Sequence, residues 1–195
     1  MGDINKFTGL FFGSFNPIHI GHMMLAEYMV EFTQLDELWF VISPHNPLKE
    51  KNTLLNDYNR FEMVQAAIGT DNRFRVSDVE FHLPRPSYTI DTLTYLSEKY
   101  PERSFMLIGG TDNLRSFHKW KNYQEILNHY KLLLYPRHGS EDHPLTKHQS
   151  VEIIEAPRLE ISSSFIRGAI KSKRSVRYFL PEPVFRLIDK YGYYL

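Results

Sequence analysis

Short apolar runs alternate along this chain with longer segments whose apolar positions recur at helical spacing. Strands are predicted over Phe7–Phe12, Leu38–Ile42, Phe74–Val79, Phe105–Ile108, Lys131–Tyr135 and Val151–Ile154. Helices are predicted over Ile20–Phe32, Asp57–Ile68, Thr89–Tyr100, Tyr123–Asn128, Ser163–Ile170 and Glu182–Tyr191. In the second helix Tyr58, Phe61, Val64 and Ile68 form the expected apolar face. Strand–helix alternation builds βαβ units with right-handed crossovers. The expected fold is α/β: a Rossmann-like doubly wound parallel sheet with helices on both faces and a small C-terminal helical part at about residues 160–195. The 195 residues are expected to form one domain. Ligands of such sheets bind at the carboxyl ends of the strands, near the point where strand order reverses.

The first strand–helix junction reads Gly13-Ser-Phe-Asn-Pro-Ile-His-Ile-Gly-His22. Gly13 has no Cβ, so backbone there can approach a ligand closely. Pro17 suits a helix entrance, where a missing N–H costs little. The N–H groups and positive end of the following helix attract an anion. His19 and His22 fall on one side of its first turn, and both gain charge readily beside an anion. Two histidines at this spacing also suit a metal pair or a solvated helix start. Near the other end, Ile161-Ser-Ser-Ser-Phe-Ile-Arg167 offers a second phosphate site. Ser162, Ser163 and Ser164 stand at a helix N-cap, and Arg167 lies one turn on, within reach of the same anion.

Composition narrows the partners. Twenty-three basic and 23 acidic side chains cancel, which argues against a nucleic-acid-coating protein. The chain holds no cysteine, so thiolate nucleophiles and zinc–sulfur sites are excluded, and a cytoplasmic protein is expected. No apolar run is long enough to span a membrane, and no membrane partner is expected. Residues 137–150 are polar and rich in His, Gly and Pro, and read as an exposed loop; His138, His143 and His148 on it are candidate metal ligands or simply solvated.

Three further segments carry candidate chemistry. Pro44-His-Asn-Pro-Leu-Lys49 follows the second strand, and Lys49 brings a point charge toward phosphates. Arg60 opens the next helix without a clear role. Ser87-Tyr-Thr-Ile-Asp-Thr-Leu93 opens another helix, which Ser87 or Thr89 can cap. Gly109-Gly-Thr-Asp112 follows the fourth strand; Asp112 can accept from ribose hydroxyls, and Trp120 offers a flat face for stacking. Tyr191, Tyr193 and Tyr194 suit covering either a core edge or a partner.

Gly13–His22 resembles the HxGH signature of the nucleotidyltransferase superfamily, and Ile161–Arg167 resembles its ISSTxIR signature. Ser87–Leu93 and Gly110–Trp120 look like the bacterial nicotinate mononucleotide adenylyltransferases. The resemblance covers nearly the whole chain, with motifs in the expected order. Two departures stand out: the family's GAD is Gly110-Thr-Asp112 here, and the lysine-bearing loop reads PHNPLK.

The resemblance implies transfer of AMP from ATP to nicotinate mononucleotide, giving nicotinate adenine dinucleotide and pyrophosphate in NAD biosynthesis. Mg²⁺ would arrive with ATP, with no metal ligand from protein side chains. The implied catalytic residues are His19, His22, Lys49 and Arg167. ATP would lie on Gly13, Ser14, Phe15, His22, Gly110, Asp112, Ile161, Ser163, Ser164 and Arg167. The mononucleotide would meet Asn16, Lys49, Thr89, Asp112 and Trp120. Transfer to nicotinamide mononucleotide or to pantetheine phosphate stays open, since both use the same phosphate motifs. So does a nucleotide-binding module without turnover. The chain is expected as a monomer or a homo-oligomer.

Overall fold

The computed structural model describes residues 6–44, 54–137 and 143–195. Six parallel strands form one sheet in the order β3-β2-β1-β4-β5-β6. They are β1 (Lys6–Gly13), β2 (Glu37–Ile42), β3 (Phe74–Ser77), β4 (Arg103–Gly110), β5 (Lys131–Tyr135) and β6 (Val151–Ile153). This is the strand order of a doubly wound sheet, and it reverses between β1 and β4. Leu10 of β1 pairs with Trp39 of β2 on one side and Leu107 of β4 on the other.

The pleat sorts each strand's side chains into two cores. Phe11, Leu38, Phe40, Ile42, Met106, Ile108 and Leu133 face one; Leu10, Trp39, Val41, Phe105, Leu107, Leu132 and Leu134 face the other. Parallel strands buried on both faces read as unbroken apolar runs, which is why β2 is Leu-Trp-Phe-Val-Ile. The first core is closed by α1 (Ile20–Phe32), α2 (Asp57–Ile68), α7 (Ser163–Lys171) and α8 (Glu182–Tyr191) through residues such as Met29, Met63, Ile166 and Val184. The second is closed by α3 (Val79–His82), α4 (Thr89–Lys99), α5 (Leu114–Phe117) and α6 (Tyr123–His129) through Leu93, Phe117 and Ile126 among others. The C-terminal helices thus share the core of the sheet.

Several local expectations are corrected. The third strand stops at Ser77, because the Ser77 hydroxyl accepts the Val79 N–H at 3.4 Å and the chain turns into α3. On α2, Val64 is buried and Phe61 and Ile68 pack against the core as expected, but Tyr58 is 65% exposed and Arg60 and Met63 complete the buried face. Neither Ser87 nor Thr89 caps α4; its N-cap is Tyr88, which makes no side-chain cap bond. Pro17 is no helix entrance, since α1 begins at Ile20 with His19 as N-cap. The segment read as an exposed loop contains a 3-10 turn at Pro144–Lys147, which the His143 ring caps by accepting the Leu145 N–H. His148 bonds Ser150 at 2.7 Å. These two histidines are spent on local structure, and His138 lies outside the described residues.

Candidate active site

The loop from β1 to α1 sits at the carboxyl end of the sheet, where strand order reverses. Gly13 ends β1, and the space its Cβ would take is filled by the Phe15 ring, 2.8 Å from that point. A side chain there would collide with the loop's own packing, and Gly13 itself lines the cleft described below. Phe15 adopts a positive φ of 42°, uncommon for a residue with a side chain. Its ring is buried edge-on to Phe11, Phe40 and His22, and that burial holds the backbone in place. The Phe15 side chain is therefore core, and only its backbone can meet a ligand.

His19 and His22 stack with ring centroids 3.7 Å apart. His22 Nδ1 accepts the His19 backbone N–H at 3.3 Å, so the histidine at the third position of α1 caps the helix start. His22 lines the cleft described below; His19 packs behind it, only 5% exposed, with its Nδ1 unpartnered among the described residues. Neither ring is a solvated helix start.

This loop is braced from three directions. Arg60, with no exposed side-chain surface, donates to Ser14 O at 2.5 Å, Leu55 O at 3.1 Å and Asp57 Oδ1 at 2.6 Å. The side-chain oxygen of Asn16 accepts from Leu55 N and from the Tyr194 hydroxyl, at 3.3 and 2.8 Å. Helix α7 docks from the far end of the sequence. Arg167 donates to Asn16 O at 2.8 Å and to the Ser164 hydroxyl at 3.3 Å, and the Ser163 hydroxyl donates to Pro17 O at 2.8 Å. Ser162 is the N-cap of α7, accepting the Phe165 N–H. The two motifs read separately in the sequence thus meet, with the N-terminal turns of α1 and α7 beside each other.

One cleft of about 1020 Å³ runs from this loop across the ends of β1 and β4. Ser14, Asn16, His22, Ser163, Ser164 and Arg167 line one part. Gly110, Asp112 and Arg137 line it beyond β4. The Asp112 carboxylate and the Arg137 stem fill the space above Gly110, so a side chain there would displace both. Arg137 stands 3.9 Å from Asp112 and donates to the Tyr135 hydroxyl at 3.2 Å. Thr89, Tyr88, Trp120 and Lys121 line the part next to α4. Trp120 leans on Phe117 with centroids 5.1 Å apart, and Lys121 sits 4.8 Å above the Tyr88 ring while pairing with Asp91 at 2.8 Å. Ile161 is not part of this cleft; its side chain packs against the first core. Lys49 lies outside the described residues.

Burial pushes the His19 pKa down from 6.5 to about 4, and the nearby Arg137 guanidinium adds to the shift. The His22 pKa is also held well below 6.5, by burial first, then by His19 and Arg137. The protein alone therefore keeps both rings neutral near pH 7. Between pH 6.5 and about 4 the unfolded chain binds protons that folded His19 refuses. Stability is full above pH 6.5, falls as pH drops toward 4, and changes no further from this group below that. The loss from His19 is expected to be about 3 kcal/mol. Urea unfolding at pH 7.5, 6, 5 and 4 checks it: the slope should shrink in His19→Asn, and an unchanged slope would exclude burial of a neutral His19 as its source.

The family described as cytidylyltransferase-like matches residues 10–169. A relative from Cytophaga hutchinsonii named "Probable nicotinate-nucleotide adenylyltransferase" is 52% identical, covering 95% of this chain and 97% of its own. One of the same name from Flavobacterium psychrophilum is 48% identical over 95% and 97%. The chain belongs to the nicotinate-nucleotide adenylyltransferase family. The fold agrees: the Plasmodium falciparum nicotinic acid mononucleotide adenylyltransferase complexed with NaAD superposes with a TM-score of 0.82 at 22% identity, covering 97% of this chain and 98% of that one.

Around the cleft of this nicotinate-nucleotide adenylyltransferase stand residues that its motifs do not announce. Arg60 and Tyr194 brace the β1–α1 loop from partners remote in sequence, and Arg137 lines the cleft beside Asp112 and Tyr135. Tyr88 and Lys121, one inside a motif and one just beyond another, also line the cleft. Among the described residues, no group of three or more His, Cys, Asp or Glu gathers as a metal site, and no helix is long and apolar enough to cross a membrane.

Proposed function

We infer that this chain is a nicotinate-nucleotide adenylyltransferase, moving AMP from ATP to nicotinate mononucleotide. The observation that carries the reading is the meeting of His22, Ser164 and Arg167 with the Ser14–Asn16 backbone in one cleft, at the sheet's reversal point, in a chain of this family. The relatives' names support the nicotinate substrate and give no support to nicotinamide mononucleotide or pantetheine phosphate.

In the reaction, an oxygen of the mononucleotide 5′-phosphate bonds to the α-phosphorus of ATP. The bond from that phosphorus to the bridging oxygen breaks, and pyrophosphate leaves. The attacking phosphate is already anionic, so no general base is required. What opposes reaction is the approach of two anions, and the chain's task is alignment and charge stabilisation. The N-terminal turns of α1 and α7 present N–H groups and partial positive charge to the triphosphate. His22 donates to the α- and β-phosphate oxygens, with His19 stacked behind it. Ser163, Ser164 and Arg167 hold the outer phosphates. Gly13, Ser14 and Phe15 contribute backbone; Asn16 and Lys49 approach the reactant phosphates; Gly110 and Asp112 lie along a nucleotide. Thr89 and Trp120 form the pyridine end, Trp120 by stacking. Mg²⁺ enters as part of the ATP substrate, neutralising its phosphates. The reading includes the cytoplasmic location expected of a chain without cysteine.

Pyrophosphate release with ATP and Mg²⁺ tests this, with nicotinate mononucleotide, nicotinamide mononucleotide and phosphopantetheine compared side by side. The expected result is a strong preference for the first. A preference for either other substrate would overturn the pyridine-end assignment, and silence with all three would overturn the enzyme reading.

A further inference from the structure

Glu80 is a buried acid that the reaction above does not use. It is 3% exposed, it belongs to the four-residue helix α3, and it lines the cleft next to α4. Three hydroxyls from two separate segments, one after β2 and one at the start of α4, bond to its carboxyl group. Thr92 Oγ1, in the first turn of α4 and fully buried, donates to Glu80 Oε1 at 3.0 Å. Ser43, just past the end of β2, and Ser87, just before α4, are its other partners. Burial raises the Glu80 pKa, and these hydroxyls act against the rise. A buried carboxyl is costly unless its lone pairs are met, so a fold that keeps one ties every segment bonded to it into a single arrangement.

That arrangement has a direction. Ser43, Glu80, Ser87 and Thr89 all line the same cleft, and Thr89 sits on the turn that Thr92 anchors. The phosphate end of the cleft has side-chain braces of its own, Arg60, Asn16 and Arg167, and meets the Glu80 cluster through one backbone bond, Ser43 N–H to Gly13 O at 2.9 Å. We propose that Glu80 is a positioning residue for the mononucleotide: by holding Ser43, Ser87 and Thr92 on one carboxyl group it sets the α4 wall against which the pyridine ring is bound. The proposal rests on the adenylyltransferase reading above. Glu80 touches neither phosphate in this assignment, so its removal acts on one substrate and not the other.

The test is steady-state kinetics of Glu80→Ala and Glu80→Gln with each substrate varied in turn, alongside thermal melting. In Glu80→Ala the KM for nicotinate mononucleotide is expected to rise about tenfold or more, a typical effect of losing several buried hydrogen bonds. The KM for ATP should stay within about twofold. Glu80→Gln keeps an acceptor oxygen and should recover most of the loss. Thr92→Val, which removes one hydroxyl at nearly constant shape, should raise the same KM several-fold and serves if Glu80→Ala does not fold. Equal rises in both KM values, or a fall in kcat alone, would mean a general structural role and overturn the proposal. An unchanged KM for the mononucleotide in folded Glu80→Ala, with active wild type, would overturn the proposal alone. Wild-type inactivity toward nicotinate mononucleotide would overturn it together with the function it rests on.

Discussion

Replacing His22 by alanine is expected to lower turnover at least about a hundredfold, the scale for losing one preorganised donor to developing charge. His22 is the histidine of the pair that faces the cleft, and its ring is fixed on three sides. It stacks on His19 at 3.7 Å and meets the edges of Phe15 and Phe11 at 5.1 and 6.0 Å. Its Nδ1 is committed to the His19 N–H, which leaves Nε2 as the nitrogen for a phosphate oxygen. A donor held this firmly needs no reorganisation when charge develops. Alanine also opens a space among aromatic rings, so a second variant separates chemistry from folding. In His22→Asn the amide oxygen can still accept the His19 N–H, while the far ring nitrogen is gone. Both variants should release pyrophosphate slowly, and His22→Asn should melt close to the wild type. A folded His22→Asn with near-normal turnover would remove His22 from the chemistry.

Arg60→Ala is expected to destabilise the fold by about 3–5 kcal/mol, the usual result of breaking a buried charge network by removing one partner. The side chain has no exposed surface, and its three bonds join α2 to the residue before it in the loop, Leu55, and to Ser14 across 46 positions of sequence. Without it, two backbone carbonyls and Asp57 lose their donor. For a chain of this length the melting temperature should fall by roughly 10 °C or more. Arg60→Lys should fare little better, because one ammonium cannot satisfy three acceptors in a fixed fork. Urea unfolding measures the loss directly, and a change below about 1 kcal/mol would show that the brace is dispensable.

These two residues show how unevenly the site was legible. His22 stood out because its signal is local: a glycine after a strand, then a histidine in the first helical turn. Arg60 gave no such signal. An arginine near a helix start usually points to water, and the expected apolar face of α2 ran through Tyr58 rather than past Arg60. The buried face proved to be Arg60, Met63 and Val64 because the β1–α1 loop supplies the carbonyls that Arg60 needs. Gly13 is legible as a glycine-requiring turn, but the Phe15 ring that occupies the space above it is not. Ile161 belongs to its motif in sequence, yet of that motif Ser163, Ser164 and Arg167 are the residues that line the cleft. The end of β3 is not legible because Val79 is a β-branched apolar residue close behind Phe74 and Val76, although it falls out of their alternation and its N–H bonds back to the Ser77 hydroxyl.

The chain's local pattern by itself determined the six strands, the six longer helices between and after them, the two-faced burial of the sheet and the strand-to-helix turns at Gly13–His22 and Ile161–Arg167, while the short helices α3 and α5 are not marked by it. Those features follow from periods of two and 3.6 residues and from turn chemistry, all set by near neighbours. Only the tertiary structure decided which polar groups are braces and which face the cleft. Asn16 meets Arg167 and Tyr194 across 151 and 178 positions, and Glu80 gathers hydroxyls from two segments, one of them 37 positions away at Ser43. A buried hydrogen bond is decided by whichever donor or acceptor the fold brings within about 3 Å, and no local pattern of one chain encodes that partner.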